Sequence, residues 1–217
     1  MTKTLHPNNA HKDGYDFDAL VLTSPALKKF VKPNNHGRNS IDFASPAAVK
    51  ALNCALLKHH YSISEWNVPE GYLCPPIPGR VDYIHYAADL LSSCGIKASD
   101  SRQVKMLDIG TGANGIYSLL AAKVYGWHCT GSEIDPVGLK NLASVLDKNE
   151  DLKQLIDLRL FRQAARIAAA ADQEGPDPAF QTVHLIGDVV QCLAAAFWDV
   201  VIQRKLGAGP DRRQWVA

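Results

Sequence analysis

The sequence predicts an α/β protein centred on a Rossmann-like, doubly wound parallel sheet and preceded by a helical and loop extension. Three observations predict this. An apolar run, Val104-Lys105-Met106-Leu107, breaks into the glycine loop Asp108-Ile109-Gly110-Thr111-Gly112 and then into helical periodicity over 116–125. A second strand over 127–131 ends in Ser132-Glu133-Ile134-Asp135. Pro136 then starts a crossover helix carrying Leu139, Leu142, Val145 and Leu146, before a third strand over 155–160. The order β-α-β-α-β is visible across 104–160.

Bulk properties bound what surrounds this unit. A chain of 217 residues holds one sizeable core. The organisation expected is an extension over 1–95, the front half of a sheet domain over 100–162, and a divergent tail over 163–217. Composition is that of an ordinary globular protein, 47% hydrophobic and 21% charged. No apolar stretch is long enough to span a bilayer, and the N-terminus lacks a secretory apolar run, so a cytoplasmic location is expected. Five scattered cysteines without a C-x-x-C pair argue against a disulfide framework and a zinc site, and predict reduced thiols packed as small hydrophobes. No metal and no protein partner are indicated. A net charge of +1 gives no global field for nucleic acid. A local patch is available where Lys28, Lys29, Lys32 and Arg38 share an Asn-rich stretch. It reads either as a solvated mixed surface or as an RNA contact.

Within the extension, His6-Pro7-Asn8-Asn9 and Lys32-Pro33-Asn34-Asn35-His36-Gly37 are loop sequences, because Pro fixes φ while Asn and Gly tolerate positive φ. Between them Phe17, Leu20, Val21, Leu27 and Phe30 recur near helical spacing, interrupted by Ser24-Pro25. Ser45-Pro46 caps a helix over 47–60 that buries Val49, Leu52, Leu56 and Leu57. Prolines and glycines over 68–80 fix an extended loop, and helical periodicity returns over 80–93 through Ile84, Ala88, Leu90 and Leu91. Arg80 is placed at the loop's exit, either as a surface arginine or as a preorganised fork for a carboxylate or phosphate.

Gly110, Gly112 and Gly115 match the G-x-G-x-x-G dinucleotide fingerprint, so an NAD-binding unit and an NAD-dependent oxidoreductase fit the topology. Asp108 points elsewhere. A fixed negative charge two residues before the first glycine repels a pyrophosphate and suits a cationic ligand such as S-adenosylmethionine, whose sulfonium and α-amino groups are positive. The glycines let backbone approach the ligand. Glu133, roughly 20 residues past Gly110, stands where a ribose-binding acid falls and can accept hydrogen bonds from both ribose hydroxyls. The fold class predicted is therefore a class I S-adenosylmethionine-dependent methyltransferase.

The stretch from His6 to about Leu160 resembles the bacterial 23S rRNA (adenine-N6)-methyltransferase family, whose eukaryotic relatives methylate adenine in small nuclear and messenger RNA. The matching signatures are Leu5-His6-Pro7-Asn8-Asn9, Tyr15-Asp16-Phe17, Ser40-Ile41-Asp42-Phe43, Trp66-Asn67-Val68-Pro69, Pro75-Pro76-Ile77-Pro78-Gly79-Arg80-Val81-Asp82-Tyr83-Ile84-His85 and Asp108-Ile109-Gly110-Thr111-Gly112-Ala113. The resemblance implies methyl transfer from S-adenosylmethionine to adenine N6 in 23S rRNA. It implies that Arg80 grips the methionine carboxylate, and that Gly110 and Glu133 hold the backbone and ribose of the cofactor beside Asp108, Thr111 and Gly112. It further implies an RNA surface on the extension, through Lys32, Asn34, Asn35, His36 and Arg38, and a target adenine that is unstacked or flipped.

The family's reaction also needs Asn-Pro-Pro-Phe at the end of a fourth strand. An exocyclic amine conjugated to purine is a poor nucleophile, and amide and carbonyl oxygens that accept its hydrogens align the lone pair with the methyl group, while the aromatic ring stacks on the base. No Asn-Pro-Pro or Asp-Pro-Pro occurs in the sequence, so no catalytic residue is assigned. The expected fourth strand, Phe197-Trp198-Asp199-Val200-Val201-Ile202, runs into Gln203-Arg204-Lys205-Leu206 instead. From Gln163 the resemblance fades into an alanine-rich, then turn-like tail, which reads as a truncated, frame-shifted or naturally divergent substitute for the family's C-terminal half. The alternative expectation is a catalytically defective remnant that binds RNA and cofactor, poorly soluble because a sheet face stays uncovered.

Overall fold

The computed structural model describes residues 4–100 and 104–160. The fourth strand and alanine-rich tail expected from the sequence lie outside the described residues. Elements run in the order α1 (Phe17–Thr23), a 3-10 helix (Pro25–Phe30), β1 (Lys32–Pro33), β2 (Asn39–Ser40), α2 (Pro46–Tyr61), α3 (Ile77–Ser93), β3 (Lys105–Ile109), α4 (Ile116–Tyr125), β4 (His128–Glu133), α5 (Pro136–Leu146), α6 (Glu150–Lys153) and β5 (Ile156–Leu160).

The sheet is parallel with order β3-β4-β5, Asp108 standing opposite Gly131 and Glu133 opposite Leu160. Parallel neighbours in sequence order require the crossover helices predicted, and α4 and α5 supply them on one face. That face carries Met106, Cys129, Ile156 and Leu158 into a single core that also takes in Leu20, Leu27, Leu56, Val81 and Ile84 from the extension. The alternate positions Leu107 and Ile109, on the second face of β3, are 61% and 37% exposed.

Several element boundaries differ from the sequence reading, each for a local reason. Helix α3 begins at Ile77, not Arg80. Proline sacrifices no hydrogen bond in a first helical turn, so Pro78 is accommodated and Pro76 serves as N-cap. Arg80 thereby rides on the helix rather than on the loop. Leu90, expected on the buried face, is exposed at 41%. The Asn-rich loop is a two-rung antiparallel hairpin, Lys32 opposite Ser40 and Pro33 opposite Asn39. Strand β4 starts after Trp127, whose indole turns inward to donate to the Ala98 carbonyl at 2.7 Å, and continues through Glu133 because β5 pairs with it that far.

The N-terminal arm is anchored on α3. Asp82 accepts from the His6 amide at 2.7 Å and from the Asn9 side chain at 2.8 Å, while Asn9 also reaches the Pro78 carbonyl. His6 Nδ1 accepts from the Asn8 amide, which leaves the proton on Nε2 to face Asp89 at 3.0 Å. His11 is buried against His60 and Tyr61, and its Nδ1 has no hydrogen-bond partner among the described residues. Burial, then the neighbouring His60, lowers its pKa to about 4.

Candidate functional site

The glycine loop sits where parallel sheets build ligand sites, beyond the carboxyl ends of β3 and β4. Gly110 and Thr111 both donate from backbone to the Ser132 carbonyl, at 2.9 and 3.0 Å, so the loop turns back across the neighbouring strand. Gly110 has φ +73°, with no atom within 4 Å of where a Cβ would stand. Conformation, not crowding, requires glycine there, and the space above its backbone is open. Gly115 answers a different demand. A Cβ there would lie 2.3 Å from Leu142 of α5, so it sets how closely the two crossover helices pack.

The acids are already at work within the protein. One oxygen of Asp108 accepts from the Thr111 hydroxyl at 2.8 Å and from the fully buried Ser118 hydroxyl at 2.9 Å, tying strand, loop and helix together. Thr111 thus turns its side chain inward and offers a ligand only its main chain. Glu133 accepts from the Gly112 amide at 2.9 Å through one oxygen, and from Ile134 and Asp135 amides at 2.7 and 3.0 Å through the other. A carboxylate has about four acceptor positions. One remains for an outside donor, so a grip on two hydroxyls requires exchange with an amide such as that of Gly112.

Arg80 reaches this region from α3. Its Nη1 donates to the Tyr117 hydroxyl in the first turn of α4 at 2.5 Å, and its guanidinium lies 5.2 Å from that ring's centre. Its Nε is buried with no hydrogen-bond partner among the described residues. An orphaned charged donor suits an anionic group, as the fork reading of Arg80 requires.

The proline-rich stretch over 62–76 is fastened across the sheet unit by Trp66, which lies in one of the family signatures, and by Asn141 and Asn149, which the sequence reading did not single out. Trp66 donates to the Asn114 carbonyl at 2.9 Å, Asn141 bridges the Asn67 and Ala113 carbonyls at 2.8 Å each, and Asn149 exchanges hydrogen bonds with both backbone groups of Ser64. The Tyr72 hydroxyl donates to Asp135, the N-cap of α5, which holds the Asp135 carboxyl below the usual carboxylate range. No local pattern marks such long-range amide ties. The one available signal was the position of Tyr117 immediately behind the glycine loop.

Among the described residues, the hairpin's hydrogen bonds involve none of these site residues. Lys32, Asn34, Asn35, His36 and Arg38 are all exposed, with Lys28 and Lys29 beside them. The Asn34 side-chain oxygen accepts from the His36 and Arg38 amides, so this residue builds the turn. Cys54, Cys74 and Cys129 are free thiols, and burial pushes Cys54 and Cys129 up to about 11 and about 12. Among the described residues no group of His, Cys, Asp or Glu is placed to hold a metal ion, and no helix is long and apolar enough to cross a membrane.

Sheet order, crossovers and an acid-flanked glycine loop define a class I methyltransferase fold. The chain belongs to an RNA methyltransferase family, which matches its residues 1–179. It is 59% identical over 160 residues to the ribosomal RNA large subunit methyltransferase F of Shewanella denitrificans, covering 74% of this chain and 44% of that protein. Against the enzyme of the same name from Saccharophagus degradans it is 54% identical over 168 residues, covering 74% and 52%. The chain thus spans about half the length of the curated relatives it matches. Among solved structures it is similar to the N-terminal domain of human METTL16 in complex with SAH, with TM-score 0.69, 28% identity and coverage of 91% of this chain and 79% of that one. It is also similar to the human METTL16 catalytic domain in complex with a MAT2A 3′UTR hairpin, with TM-score 0.64, 34% identity and coverage of 74% and 53%.

Proposed function

We propose that this chain holds S-adenosylmethionine and belongs to the reaction that methylates the exocyclic N6 amine of an adenine in 23S rRNA, in the cytoplasm. The observation that carries the cofactor reading is the orphaned, buried Nε of Arg80, whose guanidinium is held by Tyr117 in the helix that follows the open glycine loop. The names of the relatives, ribosomal RNA large subunit methyltransferase F, support the substrate, and the SAH complex of a structural neighbour supports the cofactor.

In this reading Arg80 binds the methionine carboxylate, the backbones of Gly110, Thr111 and Gly112 approach the ligand, and Glu133 accepts from the ribose. Asp108 supplies fixed negative charge beneath the cationic end while holding the loop through Thr111 and Ser118. The bound cofactor supplies an electrophilic methyl group. Lys32 and Arg38 neutralise phosphate on the hairpin, with Asn34, Asn35 and His36 adding polar contacts. The extension over 1–95 and the sheet unit over 100–162 then divide RNA contact from cofactor holding.

A second reading, binding without transfer, is favoured by the absence of Asn-Pro-Pro-Phe from the sequence. The deciding experiment pairs calorimetric binding of S-adenosylmethionine with a methyl-transfer assay on undermethylated 23S rRNA, using the full chain. Binding without transfer is expected from the missing motif, and robust transfer would discard the second reading. Glu133→Ala is expected to weaken cofactor binding by about 10- to 100-fold, the loss for hydrogen bonds to a charged group. Absence of binding by the unaltered chain sinks both readings.

A further inference from the structure

We infer that Tyr117 is a positioning residue that holds the Arg80 guanidinium so that its Nε and Nη2 edge, rather than its tip, meets the ligand's carboxylate. This inference rests on the cofactor reading above. A guanidinium offers a carboxylate two parallel pairs of donors, the terminal pair Nη1 and Nη2 and the side pair Nε and Nη2. Tyr117 takes one of the two Nη1 hydrogens at 2.5 Å, whereas among the described residues both members of the side pair keep all their hydrogens.

The state of Nε agrees. Burying a donor with no acceptor is costly, and native proteins rarely tolerate it without a reason. Arg80 Nε is so buried, and a carboxylate on the side pair relieves it. The face of Tyr117 adds a second constraint, with the guanidinium carbon 5.2 Å from its centre. Arginine is rich in rotamers, and a hydroxyl plus a ring face together select few of them.

Tyr117 is itself fixed from both sides. It stands in the first turn of α4, directly behind the glycine loop, and Tyr83, one turn beyond Arg80 on α3, packs against it with ring centres 5.1 Å apart. One ring therefore sets the spacing between the arginine on α3 and the loop before α4. These two halves of the site come from separate elements, α3 and the loop before α4.

The test exploits the part of the ligand Arg80 meets. Binding of S-adenosylhomocysteine, which carries the amino-acid carboxylate, is compared by calorimetry with binding of 5′-methylthioadenosine, which lacks it, for the full chain and for Tyr117→Phe. Removing the hydroxyl while keeping the ring is expected to weaken S-adenosylhomocysteine about tenfold and to change 5′-methylthioadenosine less than about twofold. Arg80→Ala should abolish the preference for the carboxylate-bearing ligand. Equal weakening of both ligands, or no change in either, overturns the positioning role while leaving the cofactor reading intact. Failure of the unaltered chain to bind S-adenosylhomocysteine overturns both.

Discussion

The glycine loop over 108–115 and the hairpin over 32–40 are both short turns rich in Asn and Gly, and both were singled out as contact surfaces. Their support differs in kind. The loop is tied by Asp108 to Thr111 and Ser118, by Glu133 to Gly112, by Trp66 to Asn114, by Asn141 to Ala113, and by Leu142 packed against Gly115. Among the described residues the hairpin is held by its own two rungs and the Asn34 turn, with one outward side-chain link from Asn39 to Asp18 at 3.2 Å. A site that must grip a small ligand needs atoms fixed to a fraction of an ångström, and long-range ties fix them. A surface that meets a flexible polyanion needs charge within reach, and a self-contained turn is sufficient.

The comparison breaks first at Gly115. Alanine there meets Leu142 and must adopt φ +57°, so Gly115→Ala is expected to destabilise the fold by about 3 kcal/mol, combining overpacking and a strained backbone. Chemical denaturation measures it, and a change within about 0.5 kcal/mol would show the loop to be looser than its ties imply.

The N-terminal arm lies between the two extremes and is sensitive to acid. His11 titrates near 4 in the folded chain against 6.5 when unfolded. The unfolded state takes the proton first, so the stability this residue gives is complete above pH 6.5 and is lost as pH falls toward 4. The loss is on the order of 2–3 kcal/mol, and burial of His60 acts in the same direction. Melting temperature measured across pH 7 to 4.5 should fall, and His11→Gln should flatten that limb. An unchanged slope in the variant would place the acid sensitivity elsewhere.

The smallest effect sharpens the contrast. Lys32→Ala combined with Arg38→Ala should leave stability within about 0.5 kcal/mol, because neither makes an ion pair among the described residues. The same pair should weaken RNA binding and reduce its logarithmic salt slope by roughly 0.7 per charge removed. Salt titration of RNA affinity reads this, and an unaltered slope would remove the hairpin from the RNA surface.

The sheet unit was legible in the sequence because its signals are local. Apolar runs, a glycine loop and Pro136 lie within a few residues of what they specify, and β3, α4, α5 and β5 fall within one or two residues of expectation. Boundaries moved where a neighbour decided them, as when β5 carried β4 through to Glu133, or where a permissive position hid the start of α3 among prolines. The candidate site was legible as residue types. Arg80, Asp108, Gly110 and Glu133 were identified, but what their atoms do was not, since Asp108 and Thr111 turned out to bind each other.

The sequence by itself determined the order of strands and helices, the backbone freedom of the glycine loop and the absence of Asn-Pro-Pro-Phe, because each is a property of adjacent residues. Only the tertiary structure decided that Tyr117 claims one nitrogen of Arg80, that Glu133 retains a single acceptor position, and that Asn141 and Asn149 bind the proline-rich stretch to the sheet unit. The physical reason is that a side chain's hydrogen-bond capacity is finite, and how it is shared depends on groups that only folding brings within 3 Å.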